Sequence, residues 1–290
     1  MRIGVFGSEF RADQLHVIKD LFDKLNAGEA EVYVQTLFLD FMKQKFGYSP
    51  DIKGDISGCE MDLDIALSVG GDGTFLRTVL QVYKKNVPIL GINAGRLGFL
   101  ADIGSSQIDE TLDELFRGAY KIEERTLLQL FSEKHPFQGI NYALNEIAVS
   151  KRETSSMITV HTYLNDEYLT SYKADGLVVA TPTGSTAYSM SANGPIVLPQ
   201  NRNFILSPVA PHSLNVRPIV IPDDYKITIK VESRTNSFLV SLDGRSEDMP
   251  VDNTLTIRIA DFKTRLIKRY NQTFYQTLRE KLMWGKDVRC

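Results

Sequence analysis

Residues 64–78 constrain the fold more than any other stretch of the chain. They begin with an apolar run of strand type, pass through Gly70-Gly71-Asp72-Gly73, and continue into residues that favour a helix. The sequence therefore predicts a strand, a tight glycine-rich loop and the start of a helix in direct succession.

This glycine-rich loop is suited to binding phosphate. Gly70, Gly71 and Gly73 let the backbone adopt positive φ and approach a bulky ligand, because no Cβ stands in the way. The helix that starts near Thr74 would direct free N–H groups at an anion in the loop. The Asp72 carboxylate repels phosphate unless a metal ion or a hydroxyl awaiting deprotonation compensates. The combination indicates phosphoryl transfer to an alcohol; alternatively, Asp72 serves only as a helix N-cap.

The overall composition is that of a globular protein. A length of 290 residues suits two domains, and 43% hydrophobic with 24% charged residues is ordinary for such proteins. A formal net charge of -3 gives no basic field for a nucleic acid backbone. No apolar stretch reaches the ~18 residues of a membrane span. We therefore expect a cytoplasmic protein that binds neither nucleic acid nor membrane.

Cysteine and histidine spacing predicts neither a disulfide framework nor a zinc site. Cys59 and Cys290 are far apart in the chain. The four histidines, at positions 16, 135, 161 and 212, have no metal-ligand spacing. The protein ligands of any metal ion stay unknown at this stage.

Up to about residue 120, apolar runs alternate with helical periodicity. This alternation predicts a Rossmann-like, doubly wound parallel sheet with ligands at the carboxyl ends of its strands. The N-terminal α/β domain is assigned to residues 1–120. Its predicted strands are 3–6, 31–37, 87–92 and the apolar run that opens residues 64–78. Its predicted helices are 15–25, 38–46, 108–116 and one after the glycine-rich loop that includes Leu76, Val79, Leu80 and Val82.

From residue 121 to 265, a period of two predominates. Short strands joined by Pro, Asn and Asp turns predict a β-rich, sandwich-like C-terminal domain. The final segment, 266–290, is expected to form a helix over 274–284 and to pack back on the N-terminal domain. The predicted strands are 128–131, 141–150, 158–163, 168–172, 177–180, 227–231, 238–242 and 254–259.

Three short polar motifs in this half each have two readings. Asn145 and Glu146 lie at the start of a predicted strand. They either supply a hydrogen-bond donor and acceptors for a base or a ribose diol, or form a polar strand end that faces water. Asp175 precedes a buried strand and is either a ligand contact or part of an ordinary Asp-Gly turn. Asp243-Gly244 is most economically a hairpin turn, and a ligand contact there is secondary.

The run 181–191, Thr-Pro-Thr-Gly-Ser-Thr-Ala-Tyr-Ser-Met-Ser, is more informative. Its hydroxyls, with Pro and Gly shaping the turn, suit close binding of a polar planar ligand. A Ser/Thr loop that caps a helix accounts for one or two of these hydroxyls.

Taken in order, these motifs resemble those of NAD kinases of the bacterial type, over about residues 60–265. Gly70-Gly71-Asp72-Gly73-Thr74 alone is also similar to diacylglycerol and sphingosine kinases and to 6-phosphofructokinases. The run 181–191, with Asn145-Glu146 upstream, narrows the resemblance to NAD kinases. The first loop, residues 7–10, lacks the basic residues often found there. The other matching motifs are 93–100, Asp175-Gly176 and Asp243-Gly244.

The resemblance implies transfer of the γ-phosphoryl group of ATP, with a divalent metal ion such as Mg²⁺, to the 2′-hydroxyl of the adenosine ribose of NAD. It implies Asp72 as the general base, Asn145 and Glu146 at the adenosine portion, and Asp175 at the nicotinamide end. It also implies a homodimer or homotetramer whose site lies near a subunit interface. The implied NAD contacts are Asp72, Gly73, Arg77, Asn145, Glu146, Lys173, Asp175, Thr186, Ala187, Tyr188, Ser189, Met190, Ser191 and Ala210, and the implied phosphate-donor loop is Gly70, Gly71, Gly73 and Thr74.

Two rival functions stay open on the sequence. A lipid or sugar kinase of the same superfamily shares the glycine-rich loop, but a lipid tail would not use the polar run 181–191. The other alternative is a dinucleotide-binding sensor without catalytic activity. The motifs explain binding of a ligand, and only Asp72 indicates a catalytic reaction.

Overall fold

The computed structural model describes residues 1–58, 61–95, 98–153 and 156–285. Cys59, Cys290 and two residues of the motif 93–100, Arg96 and Leu97, lie outside these ranges. The chain divides into two compact units. The first comprises residues 1–124 and the described part of the stretch from 264, and the second comprises residues 125–263. The domain boundaries expected at 120 and 265 stay a prediction.

The first unit is built on a parallel sheet. Its strands lie in the order β3-β2-β1-β4-β5, with β6 also beside β5. Leu266, near the end of the chain's last strand, pairs with Ile89 in the same parallel sense. The strands are β1 (Arg2–Gly7), β2 (Glu31–Gln35), β3 (Gly54–Ile56), β4 (Ile65–Val69), β5 (Ile89–Asn93) and β6 (Ile103–Gly104).

Amphipathic helices cover this sheet. In the first helix, Ile18, Leu21, Phe22 and Leu25 recur at helical spacing and are buried in the core. The second helix ends at Gly47, whose φ of 62° supplies the left-handed C-cap. The helices are α1 (Leu15–Ala27), α2 (Thr36–Phe46), α3 (Asp72–Val82) and α4 (Ile108–Phe116).

The parallel register aligns the carboxyl ends of β1, β4 and β5. Gly7 pairs with Val69, and the Gly70 N–H donates to the Ile92 carbonyl at 2.9 Å. The loops that follow these three strands therefore meet at one edge of the sheet, as the doubly wound prediction requires.

The second unit is a sandwich of antiparallel sheets with a common apolar core. One sheet has the order β14-β13-β12-β9-β16-β17, and the other contains β11-β10-β15-β18 with β7 and β8. The elements are β7 (Lys121–Ser132), β8 (Tyr142–Ala143), β9 (Glu146–Ser150), β10 (Ile158–Leu164), β11 (Glu167–Ala174), β12 (Gly176–Ala180), α5 (Tyr188–Ser191), β13 (Asn203–Val209), β14 (Ile219–Pro222), β15 (Ile227–Glu232), β16 (Ser237–Leu242), β17 (Arg245–Pro250) and β18 (Leu255–Lys268).

The predicted fold class, an α/β domain with a β-rich sandwich, is confirmed, and several local predictions need correction. The strand expected over 31–37 ends at Gln35, because α2 already begins at Thr36. The strand expected over 141–150 is broken between Ala143 and Glu146. The sequence analysis did not predict β13, β14 or β17.

The chain closes with α6 (Phe274–Leu282), which belongs to the first unit. The Thr273 side chain accepts a hydrogen bond from the Gln276 N–H and so caps its N-terminus. Among the described residues, no helix has the length and hydropathy needed to cross a bilayer.

Candidate active site

Asp72 lies in the first turn of α3, immediately after β4 and the glycine-rich loop. Its carboxylate accepts hydrogen bonds from three successive backbone amides. The Phe99 N–H donates to Oδ2 at 2.9 Å, and the N–H groups of Leu100 and Ala101 donate to Oδ1 at 3.0 and 3.1 Å. The N-cap position belongs to Gly71, so the alternative of Asp72 as N-cap is wrong.

The amides that hold Asp72 belong to a tight turn. The Gly98 N–H donates to the Ala101 carbonyl at 2.9 Å, which closes residues 98–101. A Cβ at Gly98 would overlap the Asp72 carboxylate. Glycine is therefore required here by the close approach of the carboxylate. Sequence reasoning included this turn in a motif but missed its partner, because the two lie far apart in the chain.

Hydroxyl groups join the glycine-rich loop to the loop after β1. The Thr74 Oγ1 lies 2.8 Å from the Ser8 Oγ, and an Arg77 Nη donates to Thr74 Oγ1 at 3.3 Å. Gly70 has φ of 150°, and a Cβ there would collide with the Thr74 side chain. Gly71 and Gly73 are exposed, which leaves the loop open to a ligand. The structure thus brings together the predicted phosphate-loop residues, Asp72 and Arg77.

In the second unit, a second aspartate holds Asn145 and Glu146. Asp243 Oδ2 accepts the Leu144 N–H at 2.7 Å, and its Oδ1 accepts the N–H groups of Asn145 and Glu146 at 2.9 and 3.1 Å. Asp243-Gly244 does form the predicted hairpin turn between β16 and β17, with φ of 48° and 83°. Its carboxylate is also the reason that the strand expected over 141–150 is interrupted.

The Glu146 carboxyl group is mostly buried. Burial above all, together with the negative charge of Asp243, raises its pKa to about 7, although the Tyr188 N–H opposes this rise by donating to the carboxylate. Glu146 Oε2 is buried without a hydrogen-bond partner among the described residues. A buried acceptor left without a donor costs free energy, so this oxygen suits a ligand hydroxyl.

The run 181–191 divides into buried and exposed hydroxyls. Those of Thr181, Ser185 and Ser189 are fully buried and bond within the unit, to Leu144, Val197 and Ser207 respectively. The expectation that the hydroxyls of this run bind a ligand jointly is wrong for Thr181 and Ser185, since they fix the loop itself. The Ser189 hydroxyl is engaged in the same way, and a ligand contact by this residue stays a prediction.

The remaining predicted residues of the run are accessible. Tyr188 is exposed, as is Ser191, and Thr186, Ala187 and Met190 are half-buried. Gly184 approaches Asn145 so closely that a Cβ would overlap the Asn145 backbone. The Thr181 N–H donates to the Asn145 carbonyl at 2.9 Å. The structure therefore brings the run together with Asn145 and Glu146.

Lys173, Asp175 and Ala210 form a separate group at the other end of β12. The Asp175 N–H donates to the Val209 carbonyl at 2.9 Å, and the Asp175 carboxylate lies 2.6 Å from Lys151 Nζ. Lys173 is exposed and lines a cavity of about 500 Å³. At the rise of an extended strand, Asp175 and Thr181 are roughly 20 Å apart. The unit thus does not place these residues beside Asn145, Glu146 and the run 181–191.

Comparison with known proteins places both halves of the chain in one family. The N-terminal domain of ATP-NAD kinases matches residues 18–120, and their C-terminal domain matches residues 144–269. An NAD kinase of Bacteroides fragilis is 47% identical over 289 residues, which cover 100% of both chains. An NAD kinase of Porphyromonas gingivalis is 46% identical over 288 residues, 99% of both chains.

Solved structures with the same fold are also found. The NAD kinase of Archaeoglobus fulgidus in complex with ATP has a TM-score of 0.75 and 28% identity, and the match covers 98% of both chains. Yeast NADH kinase complexed with NADH has a TM-score of 0.88 and covers 100% of this chain and 89% of its own. At 23% identity, the yeast enzyme supports the fold alone. The full-length identity to bacterial enzymes shows that this chain belongs to the ATP-NAD kinase family.

Proposed function

We propose that this kinase transfers the γ-phosphoryl group of ATP to the 2′-hydroxyl of the adenosine ribose of NAD. Full-length identity to bacterial NAD kinases supports this function over a lipid kinase, a sugar kinase or a non-catalytic sensor. The geometry that carries it is the Asp72 carboxylate, fixed by three amides and still 29% exposed in its side chain. A base for a substrate hydroxyl must be both oriented and accessible.

In the proposed reaction, Asp72 takes the proton of the 2′-hydroxyl. The hydroxyl oxygen then bonds to the γ-phosphorus as the bond to the β–γ bridging oxygen breaks, giving NADP and ADP. Phosphoryl transfer needs little covalent help, so orientation of the hydroxyl by a fixed base contributes most of what this chain supplies. Gly70, Gly71, Gly73 and Thr74 are proposed to receive the donor phosphates.

Asn145 and Glu146 are proposed to bind the adenosine portion of NAD. Their backbone is fixed by Asp243, and the half-buried and exposed members of the run 181–191 lie beside them. A buried carboxylate oxygen without a donor gains a hydrogen bond from a ribose hydroxyl. The residues proposed to take part from this run are Thr186, Ala187, Tyr188, Ser189, Met190 and Ser191.

Mg²⁺ belongs to the same proposal. Within the described ranges of the chain, no three His, Cys, Asp or Glu side chains converge as a metal site. Mg²⁺ is usually held by nucleotide phosphates, water and only one or two carboxylates, and we propose the same arrangement here. Bound there, the ion would neutralise charge on the β- and γ-phosphates.

A homo-oligomer is proposed from the position of Lys173, Asp175 and Ala210. They lie roughly 20 Å along β12 from Asn145, Glu146 and the run 181–191. A second copy of the chain could therefore bring its own Lys173, Asp175 and Ala210 to the nicotinamide end of the bound NAD. Light scattering coupled to size-exclusion chromatography tests this; a monomer at assay concentration that is fully active would contradict it. A cytoplasmic location also stays a prediction.

The central test compares wild type with Asp72→Asn in an assay for NADP. With Mg-ATP and NAD, we expect the substitution to lower kcat by ~10²–10⁴-fold while the Kd for NAD changes little. Asp20→Asn, an exposed aspartate on α1, is the matched control. Full turnover by Asp72→Asn would remove Asp72 from the mechanism. Folded wild type that makes no NADP would favour the sensor, and phosphorylation of diacylglycerol instead would favour the lipid kinase.

A further inference from the structure

One face of the C-terminal helix α6 packs against the turn that holds Asp72. Phe274 and Lys281 are seven positions apart, so they project from the same face of the helix. The Phe274 ring centroid lies 6.2 Å from that of Phe99, and Lys281 Nζ lies 4.7 Å from the Phe99 centroid. Phe99 is one of the three residues whose amides hold the Asp72 carboxylate.

Lys281 also contacts Asp72 directly. Its Nζ lies 3.3 Å from Asp72 Oδ2, the oxygen that accepts the Phe99 N–H. The two side chains are 31% and 29% exposed, so water screens their attraction. The ion pair is therefore weak, and the lysine can exchange the carboxylate for another anion at little cost.

The neighbouring contacts of the C-terminal stretch are much firmer. Lys268 Nζ lies 2.6 Å from Asp102 Oδ2, and both side chains are buried. Gln272 Nε2 donates to the Asp102 carbonyl at 2.9 Å. These two contacts fix the end of the turn that holds Asp72, so its position does not depend on Lys281.

We propose that Lys281 binds an oxygen of the γ-phosphoryl group during transfer and leaves Asp72 free to accept the proton of the acceptor hydroxyl. This inference rests on the proposed function. A hydroxyl within ~3 Å of Asp72 places the attacked phosphorus ~3 Å further on. The flexible four-carbon stem of lysine can cover this distance, and its ammonium group is a compact charge suited to phosphate.

The exchange also frees a position beside Asp72. In the resting arrangement Lys281 Nζ lies 3.3 Å from Oδ2 and occupies space that the acceptor hydroxyl needs. Transfer of the lysine to the phosphoryl oxygens clears this position. It also neutralises charge that spreads over those oxygens in the transition state.

The test compares Lys281→Met, Lys281→Arg and a matched control, Arg279→Met. Arg279 is exposed on the same helix, two positions earlier and so on another face. For Lys281→Met we expect kcat to fall by ~10²-fold and the KM for ATP to rise by ~10-fold, with the KM for NAD unchanged. Lys281→Arg keeps the positive charge and should recover most of the activity. Arg279→Met should match wild type.

ATP binding without NAD supplies a measurement independent of turnover. Calorimetric titration with Mg-ATP should show about tenfold weaker binding by Lys281→Met than by wild type or Arg279→Met. Higher kcat in Lys281→Met would overturn the proposal, because lysine would then only obstruct Asp72. Equal changes in both KM values, or unchanged ATP affinity, would also overturn it. If wild type makes no NADP, the proposed function fails, and the titration still decides whether Lys281 binds phosphate.

Discussion

Asp72 and Asp243 hold the backbone in the same way but in different surroundings. Each carboxylate accepts one N–H on Oδ2 and the next two on Oδ1, from three consecutive residues. Asp72 is the first residue of α3, which follows a strand of the parallel sheet; its side chain is 29% exposed and lies beside Lys281. Asp243 lies in a hairpin turn, and burial raises the pKa of its carboxyl group.

The difference shows what decides whether a fixed carboxylate can do chemistry. Three amides orient both groups equally well, so orientation is not the distinction. Asp72 keeps surface open to a ligand, and its cation is a half-exposed lysine that can leave. Asp243 faces Glu146 and Arg245, and Arg245 donates to the carbonyl groups of Ile140 and Tyr142. We therefore propose that Asp72 transfers the proton and that Asp243 supports the backbone of Asn145 and Glu146.

The largest expected effect that tests this comparison is on stability. Asp243→Asn should lower the free energy of unfolding by about 3 kcal/mol, because the amide NH₂ would face a buried backbone N–H that needs an acceptor. Asp72→Asn should cost clearly less, since water can reach the freed groups. Urea unfolding of both variants measures the difference, with exposed Asp224→Asn as the control. Equal losses for Asp72→Asn and Asp243→Asn would break the comparison.

The sequence predicted the α/β alternation and most strands because periodicity reports which face each residue buries. It missed β13, where Pro208 argues against a ladder strand; the pairing with β14 stops at Leu206, and Pro208 lies opposite Leu177 of β12 only. It missed β17 because its charged sequence, Arg-Ser-Glu-Asp-Met-Pro, lacks apolar alternation on an edge strand. Strands of this kind are defined by their partners, which spacing does not reveal.

The candidate site was predicted in part, for a related reason. The glycine-rich loop carries its own local signal, so Asp72 was found from the sequence. The amides that hold it lie 27–29 residues away, and those held by Asp243 lie 97–99 residues away. The same limit hid Lys281, 209 residues from Asp72. Only tertiary structure shows such pairings.

The next effect in size is on activity, at the turn that orients Asp72. Gly98→Ala should lower kcat by ~10²-fold, because the new Cβ would displace the carboxylate from its three amides. Steady-state assay of NADP formation measures this loss. Gly58→Ala is the control in the same unit, since a Cβ there meets open space. Full activity in Gly98→Ala would show that the fixed orientation of Asp72 is not needed, and the parallel with Asp243 would lose its functional meaning.

The smallest expected effect concerns Glu146, which shares its surroundings with Asp243. Burial raises the pKa of Glu146 to about 7 in the folded protein, above its ordinary 4.5. The folded state therefore holds the proton more tightly, and this stabilisation is lost as pH rises from about 4.5 through 7. The glutamine of Glu146→Gln cannot ionise. At pH 8 the free energy of unfolding of this variant should therefore be about 2 kcal/mol greater than that of wild type, and at pH 5 the two should differ little.

Glu146→Gln should also bind NAD more weakly, because the carboxylate acceptor is gone. Exposed Glu167→Gln should change neither property. A Glu146→Gln effect that is equal at both pH values would mean that this carboxyl group is not desolvated, and that the two aspartate regions differ less in solvation than their structures indicate.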